Sequence, residues 1–451
     1  MRLVALLLWA VAVPCVAQAL VRNARLDGML NLIQASNIEA RVRKLVSFHT
    51  RHTLSRTDSD TVGIGAARRW IKAELEQCSR AAGGRMRVEF DSFMQPAGPR
   101  VPKPVEIVNV IATLPGTAAD RVYVVSAHYD SRASDVMDTT SAAPGANDDA
   151  SGVAAVMEMA CAMAYERYEA TLVFIAFAGE EQGLLGSTHW AEEAKKNGVP
   201  IAGMITNDII GSSIGADGER HEGEVRLFAN GLPALIRSHS KELDDIARSG
   251  GEDDTPTHEL GRYLKEAGER YVGGMTVNLI PRPDRFLRGS DHLPFLERGY
   301  AGVRFVEAAE DYRHQHQNVR VENGVQIGDL PQFVDFQYIA KVARVNAAGL
   351  ASLALAPATP REVGIEVLQL ENDTTLRWRA NTEPDLAGYR IVWRAVGAPT
   401  WQYSHDVGNV TRYTLKSVSK DDYVFGVAAV DRDGNASVAA FPRPVRGQGN
   451  N

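Results

Sequence analysis

Four short runs rich in Val, Ile and Ala mark the first half of the chain: Val105–Leu114, Arg121–Ala127, Thr171–Ala178 and Ile201–Asn207. Each has the length of a strand buried on both faces. Between them lie segments of helical texture, Ser151–Tyr165 and Leu184–Lys196. Upstream, residues from about Asn31 to Ser79 read as helical, with Trp70, Ile71 and Leu75 spaced at helical intervals among charges. Further strands are expected at Val225–Ala229 and Val303–Val306, and a last long helix from Pro331 to Leu353. Strands alternating with helices predict an α/β fold: a mixed, largely parallel sheet flanked by helices.

Beyond Leu353 the pattern changes. An Ala/Pro-rich stretch, residues 354–361, reads as a linker. After it come only short strands: Ile365–Leu370, Thr375–Arg379, Gly388–Arg394, Trp401–Ser404, Thr411–Leu415, Tyr423–Val430 and Ser437–Ala440. Seven strands in so short a span predict an all-β sandwich over 362–445. The N-terminus also stands apart. Arg2 precedes the apolar run Leu3–Val13, and small residues follow at Ala17 and Ala19. This is the plan of a signal peptide over 1–19, too short to span a bilayer, and it predicts a secreted or periplasmic protein. The α/β body then occupies 20–353.

Composition adds little beyond exclusions. A 45% hydrophobic and 23% charged chain is ordinary for a globular protein. The net charge of -7, without a basic run, argues against nucleic acid as a partner. No later segment is apolar enough for a membrane span. Cys78 and Cys161 remain after signal removal, each in a helix-like stretch, and are expected as buried free thiols. Asn372, Asn409 and Asn435 occupy Asn-x-Ser/Thr sequons.

The chemistry gathers at strand ends. Arg121–Ala127 runs into His128-Tyr129-Asp130-Ser131, Thr171–Ala178 into Gly179-Glu180-Glu181, and Ile201–Asn207 into Asp208. A further cluster is Gly145-Ala146-Asn147-Asp148-Asp149-Ala150-Ser151-Gly152. Open α/β sheets bind ligands at the carboxyl edge of their strands. Imidazole and carboxylate suit zinc, and a carboxylate can bridge two ions. Of two adjacent glutamates, one can bind metal while the other takes a proton from water. Each motif alone is ordinary surface charge; three on successive strands point to a metal site.

These motifs, with Ala178-Gly-Glu-Glu-Gln-Gly-Leu-Leu-Gly-Ser187, resemble those of the secreted bacterial two-zinc aminopeptidases. Glutamate carboxypeptidase II, the transferrin receptor and glutaminyl cyclase share that fold. The resemblance covers roughly Leu45 to Leu353. It implies two Zn2+ per chain, the first on His128 and Asp208, the second on Glu181 and His316, with Asp148 bridging. It further implies Glu180 as general base, Asp130 orienting His128, and a cis peptide at Asp148–Asp149. The implied activity is removal of N-terminal residues from a peptide or protein substrate. The alternatives are a single-zinc acyl transfer of the glutaminyl cyclase type or a carboxypeptidase.

Two positions depart from the family: Asn147, where Asp is frequent, and Gln317, where Thr is usual. Ser290-Asp291-His292-Leu293-Pro294-Phe295 resembles a family element near the substrate pocket, and His292 is not counted as a ligand. His314 and His316 would project to the same face of an extended segment, so spacing alone does not choose between them. The Gly211-Ser-Ser-Ile-Gly215 match to a serine hydrolase elbow is discounted because a polar, Gly-rich loop follows it. No His-Glu-x-x-His motif occurs. The C-terminal module resembles a fibronectin type III domain through Trp378, Tyr389 and the Tyr423 strand. Its aromatic residues are expected in its core, and its partner, if it has one, is not specified.

Overall fold

The computed structural model describes residues 22–445, except residue 119 and scattered positions between 233 and 249. The expected signal segment therefore lies outside the described residues. Two compact units emerge, one formed by Arg22–Ala358 with Asn435–Val438, the other by Thr359–Gly434 and the chain from Ala439.

The first unit is built on an eight-stranded sheet. In chain order its strands are β1 (Arg87–Gln95), β2 (Val105–Leu114), β3 (Val122–His128), β4 (Thr171–Phe177), β5 (Ile201–Asn207), β6 (Glu224–Phe228), β7 (Thr276–Ile280) and β8 (Gly302–Glu307). They lie in the order β1-β2-β4-β3-β5-β8-β6-β7. The centre, β4-β3-β5-β8, is parallel, as is β6-β7; the remaining pairs are antiparallel. β3 and β4 are buried almost throughout, which is why they read as apolar runs, and β8 is as buried although it carries Arg304 and Glu307.

Helices cover this sheet: α1 (Ala24–Leu30), α2 (Ala35–Val46), α3 (Ile64–Ala81), α4 (Ala150–Met163), α5 (Leu185–Lys196), α6 (Pro256–Tyr271), α7 (Leu293–Glu297) and α8 (Phe336–Leu355). α4 is apolar on every side and buried over nearly its whole length, as a central helix must be. Its start lies so close to β5 that a Cβ at Gly152 would fall 2.3 Å from the Asn207 carbonyl oxygen. Only glycine fits there.

Two expectations change. The helical reading of Asn31–Ser79 is interrupted by a loop at 47–63, where Ser, Thr and His replace helix formers and bond locally to backbone. Cys78 and Cys161 are not free thiols: they form a disulfide joining α3 to α4, with Cα atoms 5.1 Å apart. Their separation of 83 residues concealed this proximity.

The second unit carries a four-stranded and a three-stranded sheet. The first pairs β11 (Arg361–Glu366), β12 (Thr374–Arg379), β15 (Arg412–Leu415) and β17 (Arg443–Val445); the second pairs β13 (Leu386–Ala395), β14 (Tyr403–Gly408) and β16 (Tyr423–Asp431). Two short strands, β9 (Arg320–Glu322) and β10 (Val325–Ile327), form a hairpin in the first unit. Trp378 and Tyr389 are buried in the sandwich with Leu376, Ile391 and Phe425. The strand expected at Ser437–Ala440 makes a single bridge, Val427 to Ala440, and the final strand lies later, at Arg443–Val445.

Candidate metal centre

Register brings the site together. His128 pairs with Phe177 across β3 and β4, so the glutamates just past β4 lie beside it. Asp208 follows β5, the neighbour on the other side. The Asp148–Asp149 peptide, which is cis, leads into α4 from the same edge.

Asp148 stands between two groups. Its Oδ1 lies 3.1 Å from His128 Nε2, and its Oδ2 lies 2.9 Å from His316 Nε2. His128 Nε2 is 3.7 Å from Asp208 Oδ1, and His316 Nε2 is 3.0 Å from Glu181 Oε1. Asp149 also lies close to His128 and Asp208. Its oxygens, however, accept backbone N–H groups from His128, Gly152 and Ile209 at 3.0–3.3 Å. That carboxylate fastens β3, α4 and the end of β5 together, which leaves Asp148 to face both groups.

Asp130 does more than orient an imidazole. It accepts the backbone N–H groups of Glu180 and Glu181 at 3.2 and 3.1 Å, and Thr53 donates to it at 2.8 Å. His128 Nδ1 lies 3.2 Å from the Asp130 backbone carbonyl oxygen and 3.6 Å from its Oδ1. Asp130 thus meets the histidine through its carbonyl and holds the glutamate turn through its carboxylate.

His314 and His316 do not share a face. A single 3-10 turn covers Tyr312–His314, and His316 takes a positive φ of 50°. His314 instead stacks on Phe333, with ring centroids 3.6 Å apart. His292 points away too, to the Pro283 carbonyl at 2.7 Å. Ser213 of the serine-elbow pattern sits in a loop and donates to Asp335 at 2.7 Å.

Several buried polar groups around the site escaped the sequence reading. Arg51, from the 47–63 loop, donates to the carbonyls of Tyr129, Pro144 and Gly145 and so staples two motifs together. Asp329 accepts the backbone N–H groups of Asn147 and Asp148, both at 2.7 Å. Arg304 of β8 pairs with Asp208 Oδ2 at 2.9 Å and with Asp284 at 2.9 Å. Ser290 donates to Asp208 Oδ2 at 2.5 Å. Asn147 donates to Glu307 at 2.9 Å while its own carbonyl accepts from Gly211 at 2.7 Å. An Asp there would confront a buried glutamate, which accounts for the departure from the family.

Electrostatics favours cations. Burial alone would depress the His128 imidazole, yet Glu180, Asp130, Asp148 and Asp208 together raise it well above its ordinary value. For His316 burial is likewise outweighed, by Glu181 and Asp148, and its pKa is pushed up to about 10. Burial pushes Glu180 and Glu181 up, reinforced by neighbouring carboxylates. So many buried acids in one cleft need compensating positive charge. Despite these approaches, His128 Nε2 and Glu181 Oε1 are buried with no well-aligned hydrogen bond among the described residues, as metal-binding atoms would be. The donor set of imidazole and carboxylate fits zinc.

An α/β sheet with two imidazole–carboxylate groups sharing one aspartate at its carboxyl edge defines a metal-dependent hydrolase architecture. The "Peptidase family M28" model matches residues 109–320. The chain is 47% identical, over 93% of its length and 97% of the relative's, to a protein of the fungus Leptosphaeria maculans named as a probable zinc metalloprotease. The chain belongs to peptidase family M28. Among solved structures it is similar to the LapA aminopeptidase of Legionella pneumophila (TM-score 0.52, 19% identity, 74% of this chain and 76% of that one). It is also similar to the glutaminyl cyclase of Macrostomum lignano (TM-score 0.51, 18% identity, 74% and 94%). The fold is therefore common to both. The motifs resemble those of bacterial enzymes, whereas this relative is fungal.

Proposed function

We propose that this chain is a zinc-dependent aminopeptidase with two metal positions. The observation that carries the reading is the placement of Asp148, whose two oxygens face two separate histidine–carboxylate pairs at 3.1 and 2.9 Å. His128, Asp208 and Asp148 would hold one ion; Asp148, Glu181 and His316 the other. When bound, zinc supplies Lewis acidity to the scissile carbonyl and lowers the pKa of water to about 7.

Glu180 takes the proton of the attacking water and returns it to the leaving amine. Asp130 keeps Glu180 in place through the Glu180 N–H, and its backbone carbonyl, 3.2 Å from His128 Nδ1, accepts from that nitrogen and so leaves Nε2 to face the carboxylates. The related protein named as a probable zinc metalloprotease supports the choice of metal and reaction. The LapA similarity supports aminopeptidase polarity only as an analogy of fold.

A second reading, single-zinc acyl transfer, draws on Arg304. Its guanidinium neutralises Asp208, which would weaken one of the two positions. Metal analysis with an aminoacyl-anilide, an N-blocked peptide and an N-terminal glutaminyl peptide separates the two. Two zinc ions per chain with cleavage of the free-amine substrate alone are expected. One ion with cyclisation would replace our reading, and cleavage of the blocked peptide would point to another polarity.

We further propose export from the cytosol, because the apolar N-terminal run is joined by a disulfide, which persists in oxidising compartments. Recovery of the full chain only in the cytosol of its source would remove this proposal. The sandwich is read as fibronectin type III-like and carries no catalytic residue in this scheme.

A further inference from the structure

The loop at 281–290, between β7 and α7, is tied at its base to the metal centre. Ser290 donates to Asp208, and Asp284 grips the same Arg304 that holds Asp208. Its tip is bare. Phe286 is 80% exposed and Leu287 fully exposed. Leu287 also takes a left-handed φ of 55°, an unfavourable conformation for a branched side chain. The anchored base imposes it, and the effect is to turn the side chain into solvent.

The tip is also tied to the segment that carries His316. The Arg288 guanidinium lies 5.2 Å from the Tyr312 ring and donates to Gln315 at 3.3 Å. Both belong to the segment that ends in His316. Tyr312 is itself 56% exposed. The Arg282 guanidinium sits 4.4 Å over the Phe286 ring. Neighbouring Arg285 and Arg304 have carboxylate partners, but Arg282 and Arg288 have none among the described residues. In a chain of net charge -7, two unneutralised guanidinium groups interleaved with three exposed apolar or aromatic side chains form a distinct lip.

We propose that the lip Phe286–Leu287–Arg288, with Tyr312 and Arg282, binds the part of the substrate beyond the scissile bond. It would select an apolar or aromatic residue followed closely by a carboxylate, whether an acidic side chain or the end of a short peptide. The inference rests on the aminopeptidase reading. On that reading the terminal residue would sit at the metal centre, and the loop whose base is bonded to Asp208 would meet the remainder of the peptide. Aromatic rings and guanidinium groups supply apolar contact, cation–π contact and charge together.

The test compares kcat/KM of the zinc-loaded full chain for Leu-Phe-Glu, Leu-Gly-Ser and leucine p-nitroanilide. The first is expected to exceed the second by at least about tenfold, the scale of one aromatic contact and one exposed charge pair. In Phe286→Ser and Leu287→Gly the ratio of Leu-Phe-Glu to anilide turnover should fall at least about fivefold. Leu287→Gly relieves the backbone conformation, so folding is retained. With C-terminally amidated peptides, Arg288→Gln should remove the preference for Leu-Phe-Glu over Leu-Phe-Gln and its dependence on salt. Unchanged ratios in these variants overturn the proposal. If no substrate is cleaved, the aminopeptidase reading fails. Calorimetric binding of Leu-Phe-Glu to the zinc-loaded Glu180→Gln protein, with and without the lip substitutions, then decides on the lip alone: weaker binding upholds it and equal binding overturns it.

Discussion

Asn147→Asp changes one atom type in the wall of the metal centre, and its consequences can be worked from contacts. The Asn147 amide donates to Glu307 Oε2 at 2.9 Å, and that oxygen also accepts the Ser212 N–H at 2.7 Å. Burial already raises the Glu307 carboxyl well above its ordinary range, with the Asn147 amide opposing the rise. The substitution replaces this donor with a second carboxylate at hydrogen-bond distance. Two such acids cannot both ionise, so the pair would retain one proton near neutrality. A further rise in that carboxyl's pKa costs stability, about 1.4 kcal/mol for each tenfold change in proton affinity. The sign follows from linkage. The folded pKa is raised above an unfolded value of about 4.3, so the deficit is absent below that value and grows as pH rises through the folded pKa. Urea unfolding of wild type and variant at pH 4.5 and pH 8, zinc present, should show a small difference at the lower pH and a larger one, on the order of 1.4 kcal/mol or more, at the higher. Adding Glu307→Gln, which restores a donor, should recover much of the loss. A pH-independent deficit, or none, would refute the argument.

Glu180→Gln should retain metal while turnover falls by at least about 10²-fold; Glu181→Gln should lose one ion, and a swap of these phenotypes would reverse the assignment. His316→Ala should empty one metal position, whereas His314→Ala, losing its stack on Phe333 and its approach to Asp311, should keep both ions; metal analysis of the two purified variants decides. Cys78→Ser with Cys161→Ser should lower stability by about 2–5 kcal/mol without changing metal content, read by denaturant unfolding. A chain ending at Ala358 keeps the Glu169 and Ala170 bonds to the Ala354 carbonyl, and should fold and cleave a small anilide; a folded, zinc-loaded truncation that fails to do so would give the sandwich a part in the site.

What could be read from the sequence divides along a physical line. β3, β4 and β5 were legible because a strand buried on both faces must be apolar throughout, and the polar residues that follow stand out against it. β1 was not, because it is an edge strand, half exposed along its length, and it mixes Arg87, Glu89 and Asp91 with Val88 and Phe93. The stretch at 47–63 reads as helix by sequence although it is a loop whose Arg51, His52 and Thr53 are buried. Nothing local reveals that a lone arginine far upstream will bind three carbonyls of the metal loops. The same holds for Asp329, Arg304 and Glu307. Each is a single polar residue in an ordinary stretch, and its role exists only once the sheet has closed. The chemistry that touches metal is written as contiguous motifs because strand ends present contiguous residues. The groups that hold those motifs in place come from wherever the fold returns the chain. The Asn147 departure shows how the two levels meet. Read alone it is a mismatch to a family, and beside Glu307 it is the substitution that lets a buried carboxylate lie against the metal loop.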